Sequence, residues 1–203
     1  IPPKWKRITL REQITLSYGK GLTKQSRIPG DIEVFGSNGV IGYHKVSLTQ
    51  GPTIIVGRKG SIGEVHLTDK PCWPIDTTYF IVDFGAFTPK FLFYQLKILG
   101  LDQLNKATAT PGINREDIYN RTILLPPYKE QERICNKLDV IFSALESCQQ
   151  TLQNAYTNIK QLRKSVFAAA VSGELTKAWR KKMGVKDTVE KQLGDLIKVS
   201  SGK

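Results

Sequence analysis

From Glu130 to Val171 the chain contains neither proline nor glycine. Apolar or small residues fall at Ile134, Leu138, Ile141, Leu145, Cys148, Leu152, Ala155, Ile159, Leu162, Val166 and Ala169, in steps that alternate four and three without a break. An α-helix turns once every 3.6 residues, so an alternating four–three repeat lays all these side chains along one stripe. The pattern predicts one long helix with a coiled-coil seam, about 60 Å of rod at ~1.5 Å per residue. A lone helix of this length needs a second helix to cover its seam. A copy of the chain or another part of the same protein would supply it. Gly173 is the expected stop.

Upstream of Pro127 the pattern changes to short β-branched runs broken by glycine. Ile32–Phe35, Gly36-Ser37-Asn38-Gly39 and Val40–Tyr43 read as a hairpin, with Asn38 and Gly39 both expected to accept positive φ. Thr53–Val56, Glu64–Leu67, Thr77–Phe84 and Thr122–Leu125 read as further strands, and Lys90–Leu96 as a helix. The expected fold class is α+β: a mixed, mostly β domain at 1–129, then a long α-helix at 130–172 that pairs as an antiparallel coiled coil. Residues 173–203 are expected to hold a linker and the start of a second repeat. The last inference rests on Leu10–Lys20, which aligns with Leu193–Lys203 at a constant offset, with Leu, Ile, Ser, Gly and Lys coinciding.

Charge narrows the partner. The formal net charge is +12. Residues 1–129 hold 17 Lys and Arg against 10 Asp and Glu, so the β-rich body is itself basic rather than a neutral domain with a basic tail. An anionic partner follows, nucleic acid ahead of membrane, because no basic amphipathic anchor and no apolar run of ~18–20 residues is present. The three cysteines, Cys72, Cys135 and Cys148, are too scattered for a disulfide frame or a metal knuckle, and a reducing cytoplasm is the expected compartment. A chain that begins at Ile1 without a signal-like stretch is expected to be a piece of a soluble protein.

Catalytic patterns are present only superficially. Leu125-Pro126-Pro127-Tyr128 has Leu where an adenine methyltransferase motif needs Asp, Asn or Ser. Gly57–Gly63 lacks the Gly-Lys-Ser/Thr ending of a phosphate-binding loop. His44 and His66 have no metal spacing. The expectation is a non-enzyme with no metal and no cofactor of its own.

Four loops carry basic and amide-bearing side chains suited to DNA. They are Lys20, Lys24 and Arg27; Ser37, Asn38, His44 and Lys45; Arg58, Lys59 and Ser61; and Lys106, Thr108, Thr110, Asn114 and Arg115. Lys and Arg neutralise phosphate, while Arg, Asn, Ser and Thr can address base edges. A coiled-coil assembly protein whose basic head binds another protein is the alternative that the same seam allows.

The order of these motifs resembles the DNA-specificity subunits of type I restriction–modification systems. Pro3-Lys4-Trp5 with Gly19-Lys20, Gly36–Gly39 with Ile41-Gly42-Tyr43, Val56–Gly63, Trp73 with Asp76-Thr77-Thr78, Thr110–Ile113, and Ile123–Pro127 with Glu130-Gln131 follow that family's sequence of elements. Gln161-Leu162-Arg163 and Ser172–Thr176 with Trp179-Arg180 resemble the end of its conserved helix. The resemblance implies one target recognition domain and one spacer helix, half of the two-domain family pattern. It implies double-stranded DNA, methyltransferase subunits and a motor–nuclease subunit as partners. S-adenosylmethionine, ATP and Mg would reside on those partner subunits only. A half-length subunit would pair with itself through the long helix.

Overall fold

The computed structural model describes residues 2–104, 112–185, 191, 192 and 197. It divides into two compact units, Ile1–Val140 and Ile141–Lys203.

In the first unit the strands are β1 (Lys6–Thr9), β2 (Ser17–Tyr18), β3 (Ile32–Gly36), β4 (Gly39–His44), β5 (Thr53–Gly57), β6 (Val65–Thr68), β7 (Cys72–Pro74) and β8 (Thr78–Ile81). Helix α1 (Pro89–Ile98), helix α2 (Arg115–Tyr119) and strand β9 (Thr122–Leu125) follow, and helix α3 (Tyr128–Val171) starts in this unit. An antiparallel sheet has the order β2-β8-β5-β6. A second sheet has the order β4-β3-β7, with β3 and β7 parallel. β1 pairs antiparallel with β9, so the chain leaves the domain beside the point where it entered.

Strand β5 is buried along its whole length because both of its faces are covered. Successive side chains point to opposite sides of a sheet. Ile54 and Val56 enter the main core with Leu10, Leu16, Tyr79 and Leu92. Ile55, between them, packs with Phe35 and Cys72 in a smaller cluster. A β-branched run is the natural occupant of such a strand. Helix α1 begins with Pro89 after the N-cap Thr88, whose hydroxyl accepts from Phe91 N–H at 3.2 Å. Its apolar face, Phe91, Leu92 and Leu96, closes the core.

The expected hairpin is present with its turn at Gly36–Gly39, but one backbone conformation in it differs. Gly36 pairs with Gly39, so Ser37 and Asn38 are the turn residues. Gly39 takes φ +100, whereas Asn38 keeps a negative φ. The register shifts between Val34 and Phe35, the turn stays at Gly36–Gly39, and the glycine alone takes the left-handed conformation.

Helix α3 begins at Tyr128, two residues before the expected start, because the Pro127 carbonyl accepts from Glu130 and Gln131 N–H at 2.8 and 3.1 Å. Its first turns bury Gln131 and Cys135 and tuck Ile134 against the core.

In the second unit every residue of α3 from Ile141 to Ala168 is exposed. The stripe predicted from the heptads is therefore laid bare there; Leu152 is 72% exposed and Leu162 62%. The helix stops where expected, at Gly173, in a left-handed conformation with φ +77. Helix α4 (Lys177–Met183) follows, and Arg180 Nη1 donates back to the Gly173 carbonyl at 2.6 Å. The suspected repeat at Leu193–Lys203 lies outside the described residues apart from Ile197. Among the described residues no helix is long and apolar enough to cross a membrane.

Candidate nucleic-acid interface

The loop after β5 is built on backbone hydrogen bonds. Gly63 N–H donates to the Gly57 carbonyl at 2.9 Å, and Gly57 N–H to the Glu64 carbonyl at 2.8 Å. Gly63 has φ +74, and a Cβ there would sit 2.2 Å from the Asp102 backbone nitrogen. Only glycine fits this close approach. Ile113 N–H donates to the Arg58 carbonyl at 3.0 Å, and Lys59 bridges Gly112. The loop is thus fastened to the segment that leads into α2.

One carbonyl joins this loop to the β3–β4 turn. Thr77 O accepts from Ser37 Oγ at 2.7 Å, from Arg58 N–H at 2.9 Å and from Lys59 N–H at 3.1 Å. Two of the four predicted loops therefore meet at one atom.

Arginines and tyrosines then alternate across the surface. Arg58 lies 5.3 Å from the centroid of Tyr18 and 5.8 Å from that of Tyr79. Arg115 lies 5.4 Å from Tyr18 and 5.9 Å from Tyr119. Arg11 lies 5.0 Å from Tyr119 and pairs with Glu116. A guanidinium is attracted to the negative face of a ring within ~6 Å. Tyr18 is half exposed, whereas Tyr119 and Tyr79 are buried and hydrogen-bonded. The Tyr119 hydroxyl accepts from Leu16 N–H at 2.8 Å, and the Tyr79 hydroxyl donates to the Ile113 carbonyl at 3.1 Å. Burial, with the neighbouring Tyr18 hydroxyl, pushes the Tyr79 phenol up to about 12. Arg58 Nη2 donates to the Asp76 carbonyl at 2.7 Å, so the guanidinium has a set orientation.

The remaining predicted residues divide sharply. Lys24, Asn38, Lys45, Lys59 and Ser61 are exposed. Lys20 is exposed, with its Nζ 5.9 Å from the Trp73 ring, and its carbonyl accepts from Trp73 Nε1 at 2.9 Å. Asn114 is the N-cap of α2, its side chain accepting from Glu116 N–H at 3.2 Å. Arg27 Nη1 donates to the Ile41 carbonyl at 2.9 Å and braces the hairpin. Lys106, Thr108 and Thr110 lie outside the described residues.

Two residues need correction. Ser37 and His44 are buried, 8% and 5% exposed, so neither presents its side chain to a partner. The Ser37 hydroxyl is spent on Thr77. His44 Nδ1 accepts from Ile28 N–H at 2.9 Å, and its ring meets Trp73 edge-on. A polar residue next to a turn reads as exposed in a sequence, but here each satisfies a neighbouring backbone group.

Arg11, Tyr18 and Tyr119 escaped the sequence reading, because cation–ring pairing between residues a hundred positions apart leaves no local pattern. His66, set aside as a metal ligand, backs the turn instead. A Cβ on Gly39 would touch its ring at 3.4 Å, and burial lowers its pKa despite a hydrogen bond with the Ser37 backbone. Among the described residues no group of three or more His, Cys, Asp or Glu is arranged to hold a metal.

Residues 2–155 match the family described as the type I restriction modification DNA specificity domain. The EcoDI specificity subunit of Escherichia coli is 25% identical over 182 residues, covering 89% of this chain and 40% of that protein. The EcoKI specificity subunit of the E. coli K12 strain is 36% identical over 69 residues, 34% of this chain and 15% of its own length. The crystal structure of a type I restriction-modification S subunit from M. genitalium superposes with a TM-score of 0.61 at 26% identity, covering 88% of this chain and 48% of that one. The chain thus spans less than half the length of these relatives. With three-quarters of its residues inside the matched region, the chain belongs to the type I restriction modification DNA specificity family.

Proposed function

We propose that this chain recognises double-stranded DNA by sequence, as the non-catalytic specificity component of a type I restriction–modification complex. The observation that carries the reading is the contiguity of the basic loops. Thr77 O ties the β3–β4 turn to Arg58 and Lys59, and Tyr18 ties Arg58 to Arg115. These elements, far apart in sequence, come together on a domain of net positive charge, in a chain of the specificity family. Lys20, Lys24, Lys45, Lys59, Ser61, Asn38 and Asn114 are the exposed side chains assigned to DNA.

In this reading residues 1–129 form the target recognition domain, 130–172 the spacer helix, and 173–203 a linker with the start of a second recognition repeat. The exposed seam of α3 packs antiparallel on a second such helix, from a second copy of the chain or from a further stretch of the same polypeptide. Methyltransferase and motor–nuclease subunits are the assigned partners, and they bring S-adenosylmethionine, ATP and Mg. A split DNA site would be read by two such domains held apart by the paired helices.

The deciding experiment exchanges residues 1–129 for the corresponding domain of another specificity subunit and maps adenine methylation by the assembled complex. The methylated sequence is expected to follow the exchanged domain. An unchanged methylation site would sink the reading and favour a coiled-coil assembly protein with a protein-binding head.

A further inference from the structure

The alternation of arginine and tyrosine offers a division of labour within the candidate interface. Arg58 and Arg115 are both held against one ring, Tyr18, at 5.3 and 5.4 Å. Two cations thus share one ring, and among the described residues neither forms an ion pair. Arg11, at the end of the row, differs: Glu116 neutralises it. The interior of the row therefore sets two cations without an ion pair, among the described residues, beside a half-exposed ring.

We propose that Arg58 and Arg115, braced by Tyr18, form a seat for a DNA backbone phosphate, which sets the register of the domain without reading bases. The proposal rests on the DNA-recognition reading given above. Three features favour phosphate over a base edge. First, reading a base requires a side chain that extends into a groove, and both arginines fold back along aromatic rings instead. Second, Arg58 already uses one Nη2 hydrogen on the Asp76 carbonyl, and its Nε is buried without a partner. The fork that would grip a base edge is thus partly occupied and partly enclosed. Third, an anion with several acceptor oxygens offers a charge partner to two cations that have none among the described residues, which a neutral base edge does not. The rings restrict both side chains before binding, so little rotamer freedom remains to be lost.

The test measures binding of the full 203-residue chain to labelled duplexes of several unrelated sequences, between 50 and 200 mM salt. The Arg58→Gln/Arg115→Gln pair is expected to weaken binding to every duplex by the same factor, about 10- to 100-fold, and to lower the log–log salt slope by about 1, the loss of one phosphate contact. A loss confined to some sequences, or an unchanged salt slope, would overturn the phosphate seat while leaving DNA recognition intact. Failure of the unaltered chain to bind any duplex at low salt, even with methyltransferase subunits present, would overturn the recognition reading itself. The Arg58→Lys/Arg115→Lys pair keeps the charge and covers the case in which the glutamine pair does not fold. It is expected to keep the salt slope and lose only a few-fold in affinity. A loss as large as that of the glutamine pair would show that the arginines hold the fold rather than a phosphate.

Discussion

Gln131 Oε1 accepts a hydrogen bond from the Thr88 backbone N–H at 2.7 Å. The same side chain donates through Nε2 to the Ala86 carbonyl at 2.9 Å and to the Pro126 carbonyl at 3.0 Å. Thr88 is the N-cap of α1, and Gln131 is the first residue of α3 to be fully buried. One amide therefore joins the start of the long helix to the cap of the core helix and satisfies three backbone groups. Nearby, Lys90 and Tyr94 of α1 both donate to the Asp139 carboxylate, which this holds below the usual carboxylate range.

Gln131→Ala leaves two buried backbone groups, the Thr88 N–H and the Pro126 carbonyl, and the part-buried Ala86 carbonyl without this partner. Stability is expected to fall by about 2–4 kcal/mol, read from urea or thermal unfolding. Gln131→Glu keeps the acceptor for Thr88 but sets a carboxylate against two carbonyl oxygens. It is expected to be worse than alanine at pH 7 and to recover as the pH falls and the new carboxyl takes up a proton.

Gly63→Ala places a Cβ 2.2 Å from a backbone nitrogen at φ +74. The left-handed conformation alone costs ~1–2 kcal/mol, and the clash adds to it. The loop from Arg58 to Ile62 is expected to lose its hold on Ile113, and protection of the Ile113 amide against hydrogen exchange should drop. A fully protected amide in this variant would contradict the account of the loop.

His66 is expected to make the fold sensitive to mild acid. Its folded pKa is lowered, first by burial, so the unfolded chain binds the proton more readily. Stability from this residue is complete above the ordinary value of 6.5 and is lost as pH falls from there through the lowered value. Unfolding midpoints measured from pH 7.5 downward should decline in this window. His66→Phe should flatten the decline, leaving the carboxylate-driven loss at lower pH.

The bare seam predicts self-association. Leu145, Leu152, Ile159 and Leu162 are all more than half exposed on one stripe. A stripe of this kind is expected to bury itself against a second copy. Sedimentation should report about twice the mass of 22.8 kDa. Leu152→Glu should return the chain to a single copy with unchanged helix content up to Val140. A single copy at high concentration for the unaltered chain would sink this expectation.

Much of the fold was legible locally. The heptad steps from Ile134 to Ala169 predicted a helix that ends at Gly173, because both the period and the stop are encoded by neighbouring residues. The β3–β4 hairpin and its turn at Gly36–Gly39 were legible for the same reason, although Asn38 does not take the positive φ expected of it. Strands β1 and β2 and helix α2 carried no comparable signal, being four, two and five residues long. Such short elements are held by distant partners, as β1 is by β9.

The candidate site divides along the same line. Net charge and the recurrence of basic loops were enough to point to an anionic partner, since both are properties of composition. Burial was not. Ser37 and His44 looked like surface side chains until Thr77 O and Ile28 N–H claimed them. Tyr18 and Tyr119 gained a role only when Arg58, Arg115 and Arg11 were brought against their rings. By itself the sequence determined the long helix, its seam and the sign of the charge, because helix periodicity and formal charge depend on no distant contact. Only the tertiary structure decided which polar groups face outward, because a hydrogen bond or a cation–ring contact between residues far apart exists only once the chain has closed around its core.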